Sequence, residues 1–278
     1  MDQTKNKKVI LPNLIDRRTL LHSLLHLAPA TLLLTHSKMA KATICVSTPG
    51  QTPGQTPGPF IPDDFPFKSL DEGHPYIISN DSDADLTSIS GQSELALGQK
   101  LYLEGQVVDE NCVPVPNSQV YLWQADDQGH YNHSEDPNIN FLNKPILNLD
   151  PGFQYRGIVR TDNQGRFSFK TIKPKYYPLD PQDIHFKRTS HFHLSVMKPG
   201  FQNLFTQSYF EGDELEDIIE IRRLNKIDIL LGEWIGRGLN RRPTGKVNSV
   251  FLPLIVNYEH RSGYDAPVGN LKIYIRRV

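Results

Sequence analysis

From Asp85 onward, apolar side chains recur at every second position in short runs, broken by clusters of Asp, Asn, Gly and Pro. Successive side chains of a β-strand point to opposite faces, so each such run describes a strand with one buried face. Leu101, Leu103, Gly105 and Val107 share one face of a first strand. Val120, Leu122 and Gln124 share a face of the next, with Tyr121 and Trp123 opposite. Between them Asp109-Glu-Asn-Cys-Val-Pro114 is a turn by composition, and Thr161-Asp-Asn-Gln-Gly-Arg166 is a second, leading into Phe167-Ser-Phe169. His191-Phe-His-Leu-Ser-Val196 alternates in the same way, and Val250–Val256 and Leu271–Ile275 are further candidates. Leu215–Leu231 is ambiguous and reads as partly helical. The pattern predicts an all-β domain, a two-sheet antiparallel β-sandwich with long loops between its strands.

The two ends of the chain differ. Residues 1–50 carry seven Lys and Arg against two Asp and Glu, out of 30 and 31 in the whole chain. The basic excess therefore belongs to the leader, and the body carries no bulk signature of nucleic-acid binding. Asp16-Arg17-Arg18 opens a mildly apolar stretch to Leu34, too short for a comfortable bilayer span, and Ala40-Lys41-Ala42 follows as a cleavage candidate. Paired arginines before a weak apolar stretch resemble a twin-arginine export signal, predicting a leader over 1–42. Export to the periplasm or beyond follows, with membrane contact only through the leader; a cytoplasmic protein with a short amphipathic helix is the alternative. Ser47-Thr-Pro-Gly50, Gln51-Thr-Pro-Gly54 and Gln55-Thr-Pro-Gly58 form a tandem repeat. Pro and Gly in alternation predict a disordered linker over 43–58, with the sandwich domain over 59–278. Of the two cysteines, Cys45 and Cys112, one sits at the leader boundary, so no structural disulfide is expected and a thiolate metal site is excluded.

The alternation places His191 and His193 on one face of a rigid strand, where both imidazoles reach a single ion. Phenolate is a hard anionic donor, and Tyr131 and Tyr177 lie nearby in turn-like sequence. Two phenolates with two imidazoles suit a ferric ion better than zinc. His130, His133 and His185 are competing ligands from which, with His191 and His193, a three-histidine Zn or Cu site can be drawn.

Gly58-Pro-Phe60, Asp85-Leu-Thr87, Leu103-Glu-Gly-Gln-Val-Val108, Trp123-Gln-Ala125, Gly129-His-Tyr131, Gly157-Ile-Val-Arg-Thr161 and Gly165-Arg-Phe167 are followed by Thr171-Ile-Lys-Pro174, Tyr177-Pro178, Arg188, His191-Phe-His193 and Thr206-Gln-Ser-Tyr-Phe210. This ordered set, spanning Gly58 to Gly212, resembles the intradiol ring-cleavage dioxygenases, most of all their protocatechuate 3,4-dioxygenase branch. The resemblance implies a β-sandwich holding one non-haem Fe(III) per chain. It implies Tyr131, Tyr177, His191 and His193 as ligands, with Tyr177 displaced by substrate, and Arg188 and Gln207 flanking the substrate ring. The implied reaction opens a catechol between its hydroxyl-bearing carbons with O2, giving a cis,cis-muconate-type product. Ile61 and Leu179 depart from the protocatechuate pattern at positions that line its substrate pocket, so the ring substituent stays open, as does assembly into a homo-oligomer. A different class of reading is an exported β-sandwich binding or spacer module, or an inactive relative of the enzymes.

Overall fold

The computed structural model describes residues 51–62, 65, 83–133, 136, 149–180 and 183–278, without the side chains of 180, 183–185 and 239. The predicted leader and Cys45 lie outside these residues. The described chain is built almost wholly of strands: β1 (Lys100–Asp109), β2 (Gln119–Trp123), β3 (Arg156–Arg160), β4 (Arg166–Ile172), β5 (Tyr177–Asp180), β6 (Asp183–Arg188), β7 (His191–Met197) and β8 (Leu204–Glu211). One helix, α1 (Ile218–Asn225), precedes β9 (Gly232–Ile235), β10 (Arg242–Val247), β11 (Ile255–Glu259) and β12 (Val268–Ile275). The helix falls inside the stretch whose pattern was ambiguous, burying Ile221 and Leu224.

Eight strands form one continuous sheet in the order β3-β2-β7-β8-β11-β12-β1-β4. Leu101, Leu103 and Val107 of β1, Phe167 and Phe169 of β4, and Leu271 and Ile273 of β12 meet Val120 and Leu122 of β2 and Phe192, Leu194 and Val196 of β7 in one core. The sandwich is thus a single sheet rolled over its own apolar face. Two pairings depart from the antiparallel expectation, since β1 runs parallel to β12 and β8 parallel to β11. Alternation reports which face a residue occupies and is silent on its neighbour's direction, which is why the sequence did not reveal them.

The described part of the repeat corrects the disordered-linker expectation. Residues 51–58 run as an extended strap across β8 and β12. Thr52 exchanges bonds with Tyr274, its N–H donating to the carbonyl at 3.0 Å and its hydroxyl accepting from the Tyr274 N–H at 2.7 Å. Gln55 N–H donates to the Phe205 carbonyl at 2.8 Å, and Thr206 Oγ1 donates to the Pro53 carbonyl at 2.8 Å. Proline lacks a donor, so Gln and Thr carry the attachment, and they recur with the repeat. Cys112 is disulfide-bonded, against expectation, and sits at φ +62° in the β1–β2 turn. The only other cysteine in the sequence, Cys45, lies outside the described residues.

Candidate metal and substrate site

Phe192, Leu194 and Val196 turn into the core, so strand alternation turns His191, His193 and Ser195 to the outer face of β7. Register fixes their neighbours there: His193 lies between Trp123 of β2 and Gln207 of β8, and His191 lies beside Tyr209. The strap and the loop after β2 cover this face. Tyr131 comes from that loop, which the buried Asp126 carboxylate organises by accepting from the N–H groups of Gln128 and His130 and from the Tyr155 hydroxyl. The Tyr131 N–H donates to Asp136 at 2.6 Å. Gly129 stands at φ +89°, and a Cβ there would lie 3.0 Å from Cβ of Tyr177, so the turn needs glycine for both its backbone and its space. Tyr177 opens β5, directly across from Arg188 on β6.

The four candidate ligands converge. The Tyr131 hydroxyl lies 3.3 Å from Nε2 of His191 and 3.1 Å from Nε2 of His193, and the two Nε2 atoms are 3.1 Å apart. The Tyr177 ring lies 5.5 Å from that of Tyr131 and 5.8 Å from His191. His191 Nδ1 lies 2.7 Å from the Thr189 carbonyl, which assigns the proton to Nδ1 and leaves Nε2 bare. His193 has no partner at Nδ1; its ring is held instead by stacking on Trp123, 5.0 Å away and 9° from parallel. Burial pushes both imidazoles well below the usual histidine range, and the Arg188 charge adds to it, with His191 contributing at His193. Burial likewise raises the Tyr131 and Tyr177 hydroxyls. Two neutral imidazoles and a phenol thus bring three donor atoms within 3.3 Å of one another, an arrangement well suited to a shared cation. The donor set therefore fits a ferric ion.

Among the described residues, no group of three or more His, Cys, Asp and Glu side chains gathers, so the three-histidine alternative is not assembled there. His133 packs against Phe60, and His130 faces the Asp126 carboxylate. The His185 side chain lies outside the described residues.

Arg188 is buried, and two side chains hold it. Nε donates to Asp228 at 2.9 Å and a terminal nitrogen donates to Gln207 Oε1 at 2.6 Å, with the Tyr209 hydroxyl bonding the same Gln207 oxygen at 3.1 Å. Desolvation works against this charge, but the Asp228 carboxylate and the Tyr177 and Tyr209 hydroxyls outweigh it and shift Arg188 upward. Gln207 donates to the Thr56 carbonyl at 3.0 Å, which ties the site to the strap. Of the two candidate pocket positions, Ile61 packs with Tyr131 and Tyr177, whereas Leu179 is 41% exposed and stands outside that cluster. The sequence reading missed Asp228, Tyr209 and the Trp123 stack. Tyr209 was legible in principle, since it shares the Gln207 face of β8 by alternation; nothing in the sequence marks Asp228.

Residues 72–229 match the Dioxygenase family model. The chain belongs to the intradiol ring-cleavage dioxygenase family. It is 38% identical over 134 residues to the protocatechuate 3,4-dioxygenase beta chain of Burkholderia cepacia, covering 48% of this chain and 54% of that one. To catechol 1,2-dioxygenase 2 of Acinetobacter lwoffii it is 31% identical over 126 residues, covering 42% of each. The chain thus spans about half the length, or less, of the curated relatives it matches. Two solved structures share the fold: 3-chlorocatechol 1,2-dioxygenase of Rhodococcus opacus 1CP (TM-score 0.50, 24% identity, 82% of this chain and 74% of that one) and hydroxyquinol 1,2-dioxygenase of Pseudomonas putida DLL-E4 (TM-score 0.51, 20% identity, 82% and 68%).

Proposed function

We propose that this chain is a non-haem Fe(III) dioxygenase that opens a catechol-type ring between its two hydroxyl-bearing carbons, both atoms of O2 entering a cis,cis-muconate-type product. The observation that carries this reading is the convergence of the Tyr131 hydroxyl on both histidine Nε2 atoms, with Tyr177 alongside. Tyr131, Tyr177, His191 and His193 would hold the ion. When bound, ferric iron supplies the Lewis acidity and redox contact that make a coordinated catechol oxidisable at ring carbon by O2.

The remaining work falls to the chain. Tyr177, at the start of a short hairpin and across from Arg188, is the ligand we assign to yield to substrate and accept a substrate proton at its phenol oxygen. Arg188 presents a preorganised positive charge where negative charge gathers as a ring carbon becomes a carbonyl, and such donors act strongly in a dry site. Gln207 accepts from a terminal nitrogen of the guanidinium. Phe60, Ile61 and Trp123 exclude water from the approach. Ile61 in this wall favours a catechol with an apolar or absent substituent over one with a ring carboxylate.

Oxygen uptake with catechol, alkylcatechols, arylcatechols and protocatechuate, with the product identified, tests the reading. Ring-opened dicarboxylate with one O2 consumed per ring supports it. No uptake with any catechol by protein carrying one iron per chain sinks it and leaves the binding-module or inactive-relative reading. We further propose export, supported by the disulfide at Cys112, since disulfides persist in oxidising compartments. Recovery of the protein in the cytoplasmic fraction with Cys112 reduced would refute that.

A further inference from the structure

Asp228 is fully buried, and the reading of the site gives it no chemistry of its own. It follows α1, its N–H still donating to the Leu224 carbonyl at 2.8 Å. Its carbonyl accepts from Gly232 N–H at 2.8 Å and from Trp234 Nε1 at 2.9 Å, so its backbone is fixed on both sides. The carboxylate is saturated as well. Oδ1 accepts from the N–H groups of Leu230 at 2.8 Å and Leu231 at 3.0 Å. Oδ2 accepts from Arg188 Nε and from the Thr189 N–H, both at 2.9 Å.

That second oxygen touches two parts of the site at once. Through Nε it sets the plane of the Arg188 guanidinium, leaving a terminal nitrogen for Gln207. Through the Thr189 N–H it fixes the peptide segment whose carbonyl faces His191 Nδ1. Asn225, one turn earlier, secures the same segment by bonding Thr189 Oγ1 at 2.6 Å while donating to the Phe210 carbonyl at 3.1 Å. The stretch after α1 therefore acts as a jig that presents Arg188 and His191 to the same reacting volume.

We propose that Asp228 is a positioning residue, acting through Arg188 on the ring-opening step; this rests on the function proposed above. Asp228→Asn is nearly isosteric and isolates the point. A carboxamide has one acceptor oxygen where the carboxylate has two, so it satisfies either the Leu230–Leu231 pair or the Arg188–Thr189 pair, never both. Asp228→Asn should lower kcat and kcat/KM together by about 10²-fold, the scale of losing one preorganised donor, with KM held.

The test is a double-mutant cycle with Arg188→Gln, read in kcat/KM. If Asp228 acts through Arg188, Asp228→Asn costs little further, within about threefold, once Arg188 is gone. The same loss in both backgrounds, or wild-type turnover in Asp228→Asn, overturns the proposal. A second measurement needs no variant and no turnover: the Arg188 Nε–H signal of wild-type protein prepared without iron. Exchange at least tenfold slower than that of exposed arginine side chains is expected, and exchange at their rate overturns the proposal even if Asp228→Asn fails to fold. Wild-type protein that opens no catechol defeats the function itself and this proposal with it. Active wild type with an unaffected Asp228→Asn variant defeats this proposal alone.

Discussion

Arg188→Lys separates the charge at this position from the fork that carries it. The guanidinium makes two charge-assisted bonds in different directions, 2.9 Å to Asp228 and 2.6 Å to Gln207. Lysine keeps the charge but is a compact point on a flexible stem, so it reaches one partner well and not both. Each bond to a charged group contributes about 1.5–3 kcal/mol. Losing one therefore destabilises the fold by that amount, roughly a ten- to hundredfold change in the unfolding equilibrium at about 1.4 kcal/mol per factor of ten. The larger penalty of about 3–5 kcal/mol for an orphaned buried charge does not apply, because Asp228 keeps the lysine charge nearby and three backbone N–H donors. Gln207 Oε1 also retains the Tyr209 hydroxyl, 3.1 Å away, as a replacement donor. Paired urea titrations of the wild type and the variant give the number directly. A difference below about 0.5 kcal/mol, the range of an ordinary surface substitution, would refute the view that the fork holds this site together.

Three further outcomes follow from other parts of the structure. Gly58 stands at φ +77° with a virtual Cβ 3.1 Å from Cε1 of His193, so Gly58→Ala should cost about 1–2 kcal/mol in backbone strain and lower the iron bound per chain; full occupancy by elemental analysis would show that the strap does not constrain His193. Tyr209→Phe removes the hydroxyl that bonds Gln55 and Gln207, worth about 0.5–1.5 kcal/mol, and should speed amide exchange over residues 53–58 alone, whereas unchanged exchange there would mean the strap is held from elsewhere. Asp109 is lowered below the usual carboxylate range: burial opposes this, but bonds from the Val113 N–H, the Arg277 guanidinium and the Asn111 N–H outweigh it. A depressed folded pKa contributes stability that is present above the unfolded value of about 3.9 and is lost as pH falls through the folded one, so Asp109→Asn should flatten the acid limb of the stability curve; an unchanged limb would contradict that assignment.

Much of the site was legible because strand alternation is a strong physical signal. The spacing of His191 and His193 placed both on one face, and Val120 and Leu122 separated cleanly from Trp123. Tyr131 and Tyr177 were different: nothing local distinguishes a ligand tyrosine from a packed one, and only their order among other motifs drew them in. The strap was misread because Pro and Gly content measures chain stiffness and freedom, while its attachment depends on Gln55, Thr52 and the Thr56 carbonyl meeting β8 and β12. Asp228 was invisible because its partners Arg188 and Thr189 lie about forty residues away in sequence, joined only by the fold. Leu179 was marked as a pocket position only by its departure from the protocatechuate pattern; its side chain is half-exposed and lies apart from the cluster around Tyr131 and Tyr177.

The central claim is that two phenols and two imidazoles hold one ferric ion, and the visible spectrum of purified protein with its iron quantified tests it most directly. One iron per chain and a burgundy tyrosinate-to-iron charge-transfer band are expected, the band moving when a catechol is added without oxygen and collapsing in Tyr131→Phe. Colourless protein carrying stoichiometric iron, or a band indifferent to loss of Tyr131, would contradict it.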